Sequence, residues 1–383
     1  MNWDFLIKDK DAITVTTDSR KITRGCVFVA LKGEHFDGND YVEQAAKDGA
    51  EYIIKGDNAL LDLQDLARAW RRKFDIPVLA ITGTNGKTTT KELTAAVLKT
   101  KYKVLYTQGN YNNSLGVPLT LLQLTAEHQF AIIEMGASHP GDIKDLVEIA
   151  EPNFGLITNV GRAHLEGFGS FEGVMKTKAE LYDYLRAHGG LCFRNTDNPN
   201  LAQMAGNLKT VAYGTGTMLK GTHLVGDYNS ENIQAALCVG DYFGISREDA
   251  EAAIRAYIPT NNRSQAMKTD RNDLVIDAYN ANPTSMQAAI NAFKGDTYIL
   301  GSMRELGSYS HLEHQNIANM LLERKEQAVF LVGNEWKETT APYPVFENVE
   351  ALAAYVQEHP LSNCRILIKG SRSNQLEKII PYL

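Results

Sequence analysis

Cysteine is scarce in this 383-residue chain, and the four present, Cys26, Cys192, Cys238 and Cys364, are far apart with no Cys-x-x-Cys pair. That spacing excludes a disulfide framework and a cysteine-held zinc site, and fits a reducing cytosol. Long apolar runs are missing too: none approaches the roughly 18 residues needed to cross a bilayer. There is no basic excess, since 39 Lys and Arg face 46 Asp and Glu for a net charge of −7. A surface built for nucleic acid or an anionic membrane is thereby excluded. Any anionic ligand must be held by local basic groups and backbone amides. The first residues carry Asp4, Asp9 and Asp11 and lack a basic segment leading into an apolar run, which reads as no signal peptide. No internal repeat or low-complexity linker is visible. The expectation is a soluble, cytoplasmic protein.

An apolar content of 44% with 22% charged residues is ordinary for a globular chain. At roughly 100–200 residues per domain, two or three domains are expected. Three blocks are read: 1–76, 77–258 and 259–383. The first has β-like runs at Cys26 to Leu31 and Glu51 to Ile54, with helical patterns at Tyr41 to Lys47 and Leu60 to Phe74. The second opens on an apolar strand, Pro77 to Thr82, and continues with strands at Phe130 to Ile133 and Phe154 to Ile157. The third has strands at Leu274 to Ile276, Tyr298 to Leu300, Ala328 to Val332 and Ile366 to Ile368. Strand and helix patterns alternate, so the fold class is α/β. It comprises a small α/β N-terminal domain, a central P-loop-type domain with a mostly parallel sheet, and a C-terminal Rossmann-like domain.

Residues Thr82-Gly83-Thr84-Asn85-Gly86-Lys87-Thr88-Thr89 follow the Pro77 strand and precede the helical pattern Lys91 to Lys99. A strand, a glycine turn, Lys-Thr and a helix place free N–H groups and a helix N-terminus around a phosphate. Lys87 supplies charge for the β- and γ-phosphates, and the Thr88 hydroxyl suits Mg²⁺. The strict Gly-x-x-x-x-Gly-Lys-Thr pattern fails at its first position, Ile81; the plain alternative is a tight β–α turn that carries a lysine. Glu134 closes a strand at its C-terminal end, where a carboxylate suits Mg²⁺. His164 lies just past another strand and, on the residues alone, reads equally as a structural histidine or a ligand. Lys178 shares the helical stripe of Val174, Leu181 and Leu185 and so faces inward, whereas Lys176 points to solvent. By itself Lys178 reads as a snorkelling or ion-paired lysine, with Glu134 as a partner.

The shortened phosphate loop resembles that of the Mur ligase family. The resemblance covers most of the chain and extends to Thr17-Asp18-Ser19-Arg20, Gly33-Glu34-His35-Phe36-Asp37-Gly38, the Asn110 to Leu122 stretch and Glu134-Met135-Gly136. It continues in Asp277-Ala278-Tyr279-Asn280-Ala281-Asn282-Pro283, Ser302-Met303-Arg304-Glu305-Leu306-Gly307 and Lys369-Gly370-Ser371-Arg372. Within the family, these segments look like those of the member that adds D-alanyl-D-alanine. The resemblance implies an ATP-dependent amide ligase acting as a monomer on UDP-N-acetylmuramoyl-tripeptide and D-alanyl-D-alanine through an acyl phosphate. It also implies two Mg²⁺ ions, with Thr88, Glu134 and His164 as ligands, and a carbamylated Lys178. Lys87, Lys178, His164 and Arg263 would be catalytic, and Gly83 to Thr89, Asn229, Asn232, Asp277, Tyr279 and Asn280 would hold the nucleotide. Thr17, Ser19, Arg20, Asp37, Asn113 and Lys369 would hold the substrate. Simpler readings stand beside several of these: a helix cap for Asn229 and Asn232, solvation for Lys369, turn formation for Asp37-Gly38. Three departures are visible, a trimmed look to the N-terminal block being the first. Tyr228 stands where the family has histidine, and the 200–226 stretch is too short for the small antiparallel sheet usual there. Without the resemblance, a P-loop kinase or NTPase and a nucleotide-binding regulator remain open, as does a folylpolyglutamate-type ligase within the superfamily.

Overall fold

The structure, a computed structural model, describes residues 2–259, 263–324 and 328–383. Each block contributes one sheet. The first is three-stranded and parallel, β1 (Val15–Thr16), β2 (Val27–Val29) and β3 (Tyr52–Ile54), in that order. The second contains β4 (Val78–Thr82), β5 (Val104–Tyr106), β6 (Phe130–Glu134), β7 (Phe154–Ile157), β8 (Leu191–Asn195) and β9 (Thr210–Tyr213). Their order is β5-β6-β4-β7-β8-β9, and every pairing is parallel. The third contains β10 (Gln265–Lys268), β11 (Asp273–Asp277), β12 (Thr297–Gly301), β13 (Ala328–Val332), β14 (Val345–Phe346) and β15 (Arg365–Lys369). Its order is β10-β11-β15-β12-β13-β14, parallel except for the edge strand β10.

The central sheet is buried on both faces, as a parallel sheet requires. Along β4, Val78 and Ala80 enter one apolar cluster and Leu79 and Ile81 the other. The first cluster packs on the helices Gly116–Leu121, Asp142–Ala150 and Phe171–Ala187, the second on Lys87–Leu98 and Asn229–Tyr242. The first block shares that core. Its helix Ala59–Arg71 buries Ala59, Leu63, Leu66, Ala67 and Trp70, a helical stripe, and Trp70 Nε1 donates to the Leu124 carbonyl at 3.0 Å.

The short strands β5, β8 and β9 were not expected from the sequence, because three to five residues with Arg194 and Asn195 among them give little apolar periodicity. Between 200 and 226 the chain forms the helix Pro199–Ala205, β9 and a single bridge from Leu224 to Gln265. Among the described residues no antiparallel pair lies within that stretch, as its shortness implied. Among them, too, no helix is long and apolar enough to cross a membrane.

Candidate active site

β4 is flanked by β6 and β7, so the chain order switches sides at its C-terminal end, where an open parallel sheet forms a crevice. The phosphate loop occupies that point. Gly83 takes φ +139° and Gly86 φ +77°; a Cβ at Gly86 would stand 2.4 Å from Asn232 Oδ1. The loop after β7 braces it: Asn85 N donates to Asn159 Oδ1 at 3.0 Å, and Thr158 Oγ1 donates to the Asn85 carbonyl at 2.6 Å. Lys87 Nζ donates to the carbonyls of Gly83 and Thr84 at 2.8 and 3.0 Å. Burial draws the pKa of Lys87 down to about 8, against the pull of Glu134 and with a smaller push from Arg263.

Glu134 ends β6 beside the loop and is 1% exposed. Its Oε1 accepts from Asn112 Nδ2 at 2.8 Å and from Thr88 Oγ1 at 3.2 Å. Its Oε2 is buried without a hydrogen bond, with Lys91 Nζ 3.9 Å away. Lys91, fully buried, ion-pairs Glu92 at 2.9 Å and turns the same ammonium toward Glu134 at the longer distance. Lys178 does not pair with Glu134, which corrects the ion-pair reading. Lys178 is 2% exposed and lies 5.5 Å from the centre of the Phe168 ring, while Lys176 is exposed, as the periodicity required. Among the described residues Lys178 has no ion pair, and burial, reinforced by Lys87, lowers its pKa to about 7.

The third domain closes the other side. Asp277 and Lys369 are register partners at the ends of β11 and β15, joined by a 2.5 Å ion pair. Lys369 is 1% exposed, so the solvated reading fails. The Arg263 guanidinium lies 3.8 Å from the centre of the Tyr279 ring. Asn282 caps the helix Pro283–Ala292 and also donates to Asn85 Oδ1 at 2.8 Å, across the domain boundary. Together these groups line one cleft of about 850 Å³, which includes Thr84 to Thr89, Asn113, Glu134, His164, Asn229, Asn232, Arg263, Asp277, Tyr279, Asn280 and Lys369. Gly83 and Lys178 do not line it.

Residues 13–104 match the model for the Mur ligase family, catalytic domain; 81–220 match the Mur ligase middle domain; and 262–372 match the Mur ligase, glutamate ligase domain. The chain is 34% identical to the UDP-N-acetylmuramoyl-tripeptide–D-alanyl-D-alanine ligase of Bacillus subtilis, over 96% of this chain and 92% of that protein. It is 33% identical to the same-named ligase of Escherichia coli, over 96% and 93%. The chain belongs to the Mur ligase family. It is also similar to the crystal structure of the MurF ligase of Thermotoga maritima in complex with ADP, with a TM-score of 0.87 and 26% identity over 98% of each chain.

Not every residue singled out in this Mur ligase sequence reaches the cleft. Thr17, Ser19, Arg20 and Asp37 stand apart from it on the first block. Asp18 caps a short turn of helix and pairs with Arg20, which holds its carboxyl down to about 2. Asp37 likewise caps the turn Gly38–Tyr41 by accepting from Asn39 N at 2.9 Å. Asn113 lines the cleft while its Oδ1 accepts from the N–H groups of Leu115 and Gly116. The side chains of Asn229 and Asn232 hydrogen-bond each other at 2.9 Å, and Asn232 also receives Thr90 Oγ1 at 3.0 Å, locking two helices together beside the cleft. Tyr228 donates to or accepts from Ser264 Oγ at 2.9 Å, and burial raises its pKa. His164 takes φ +50° and meets the carboxylate of Glu305, whose pKa that contact lowers. Glu305, Asn112 and Lys91 were missed as site residues. The first two lay inside quoted motifs without a legible partner, and Lys91 looked like an ordinary helix lysine.

Proposed function

We propose that this Mur ligase joins D-alanyl-D-alanine to UDP-N-acetylmuramoyl-tripeptide, consuming ATP and releasing ADP and phosphate. The observation that carries the reading is the cleft, which gathers the phosphate loop and the third domain's Arg263, Asp277 and Lys369 in one cavity, in a chain matching such ligases almost end to end. The ADP complex of the Thermotoga maritima relative supports a nucleotide on that loop.

Amide formation from a carboxylate needs an activated acyl group. The γ-phosphoryl moves to the peptide carboxylate oxygen and the bond to ADP breaks. The dipeptide amine then attacks the acyl carbon, the C–O bond to phosphate breaks, and the amine gives up its proton. The protein's part is positioning and charge neutralisation. Lys87 and the loop amides cradle the β- and γ-phosphates, and Arg263 reaches them from the third domain with a guanidinium fork. Asp277, Tyr279 and Asn280 border the nucleoside side, with Asn229 and Asn232 shaping its floor. Lys369 and Asn113 border the acceptor side. Thr17, Ser19, Arg20 and Asp37 receive the UDP end.

The donors fit Mg²⁺: Glu134 Oε2 has no hydrogen bond, Oε1 of the same carboxylate meets the Thr88 hydroxyl, and carboxylate and hydroxyl are both oxygen ligands. Among the described residues no three His, Cys, Asp or Glu side chains cluster, which fits an ion completed by phosphate oxygens and water. When bound, Mg²⁺ offsets phosphate charge. A second ion would lie near His164 and Lys178. Neutral in part near pH 7, the Lys178 amine adds to CO₂ with loss of a proton, giving a carbamate that replaces a buried cation with an anion. The ligase works as a monomer in the cytoplasm, where ATP and UDP-linked precursors meet.

The test is phosphate release from ATP with UDP-N-acetylmuramoyl-tripeptide, with and without D-alanyl-D-alanine. Release should require both, and the product should gain the dipeptide. Release independent of any amine, or a preference for glutamate as acceptor, would overturn the reading.

A further inference from the structure

We propose that Arg162 and Glu313 form the clasp that seats the third domain on the central one, which makes Arg162 a positioning residue for the reaction. The loop after β7 is gripped on both sides. Thr158 and Asn159 brace the phosphate loop. Three residues further on, Arg162 Nε meets Glu313 Oε1 at 2.7 Å, its guanidinium lies 5.8 Å from the centre of the Tyr309 ring, and its backbone N–H donates to Thr284 Oγ1 at 3.0 Å. Gly161 allows that approach, since a Cβ there would stand 2.8 Å from Thr284 Oγ1.

The pair is asymmetric. The Glu313 side chain is 3% exposed and that of Arg162 46%. A carboxylate so deep is costly without a counter-charge, and among the described residues Arg162 is its only ion-pair partner. The pair joins two domains, so it stabilises only the arrangement in which they touch. Beside Glu313, His314 Nε2 accepts from Met303 N at 3.0 Å, and the chain from there leads to Glu305, which faces His164. One helix start thus sets both the docking of the loop and the position of Glu305. Neither Arg162 nor Glu313 lines the cleft. Their effect is through geometry.

The inference rests on the proposed reaction only for its kinetic assay. Small-angle scattering and ligation kinetics of Arg162→Met and Glu313→Gln, with AMP-PNP and UDP-N-acetylmuramoyl-tripeptide as ligands, test it. Both variants should have a larger radius of gyration with ligands bound. Their kcat/KM for D-alanyl-D-alanine should fall about ten-fold or more, with AMP-PNP affinity within about three-fold of the parent. Arg162→Lys, keeping the charge without the fork, should fall between, and the exchanged pair R162E/E313R should recover part of the loss. Parental scattering, or activity lost only in step with Tm, would overturn the clasp. Scattering with AMP-PNP alone needs neither turnover nor the peptide substrate, so that arm stands even if the substrates are others.

Discussion

The first block and the cleft use the same residue types to opposite ends. In the first block, Asp18 and Asp37 are satisfied locally: each caps a turn within two residues, and the exposed Arg20 pairs with Asp18. In and beside the cleft, Asp277 and Lys369 pair with each other, but several charged groups are left with unused capacity. Glu134 Oε2 has no hydrogen bond, Lys178 has no ion pair among the described residues, and Lys87 is held over its own loop carbonyls. Burying charge without full compensation is unfavourable, so the fold maintains these groups at the expense of stability. The difference separates a recognition surface, where local turns suffice, from a reaction site, where unmet valences await a ligand.

Substitutions at the phosphate loop should give the largest effects. Lys87→Met is expected to lower kcat by about a thousand-fold, and Gly86→Ala comparably, measured as phosphate release. Near-parental turnover in either would erase the contrast between the regions. Lys178→Ala should lose about a hundred-fold or more in ligation and regain part of it in acetate or formate, which replaces the carbamate's carboxylate. Full activity without supplement would remove the carbamate from the account.

The same lysine sharpens the comparison through pH. The folded pKa of Lys178, about 7, lies below that of an unfolded lysine. Between about pH 7 and pH 10 the unfolded chain binds a proton that the native one does not, so stability rises with pH across that window; below it the whole penalty is present. Lys178→Met should therefore raise Tm most at pH 6 and flatten the rise, followed by thermal unfolding in carbonate-free buffer. A variant whose Tm tracks the parent from pH 6 to 10 would contradict the burial argument. The smallest effects belong to the first block. Arg20→Ala and Asp37→Ala should raise KM for the UDP-linked substrate a few-fold and leave that for ATP unchanged. A thousand-fold loss there would move part of the chemistry out of the cleft.

What the sequence made legible was local. The phosphate loop is contiguous, so strand, glycines, Lys87 and helix were readable in order, and a 3.6-residue period separated Lys178 from Lys176. What it hid was pairing over distance. Nothing in the sequence links Arg162 to Glu313, His164 to Glu305 or Asn85 to Asn282, because each contact joins segments more than a hundred residues apart that meet only when the domains dock. Burial was hidden too: for Lys369 at a strand end, solvation stood as an alternative to a site role until β11 and β15 aligned it with Asp277.

The most direct measurement uses UDP-N-acetylmuramoyl-tripeptide labelled with oxygen-18 in the reacting carboxylate, with the released phosphate analysed by mass spectrometry. Transfer of the γ-phosphoryl onto that carboxylate predicts one labelled oxygen in each phosphate, dependent on Lys87. Phosphate released without label during ligation would contradict it.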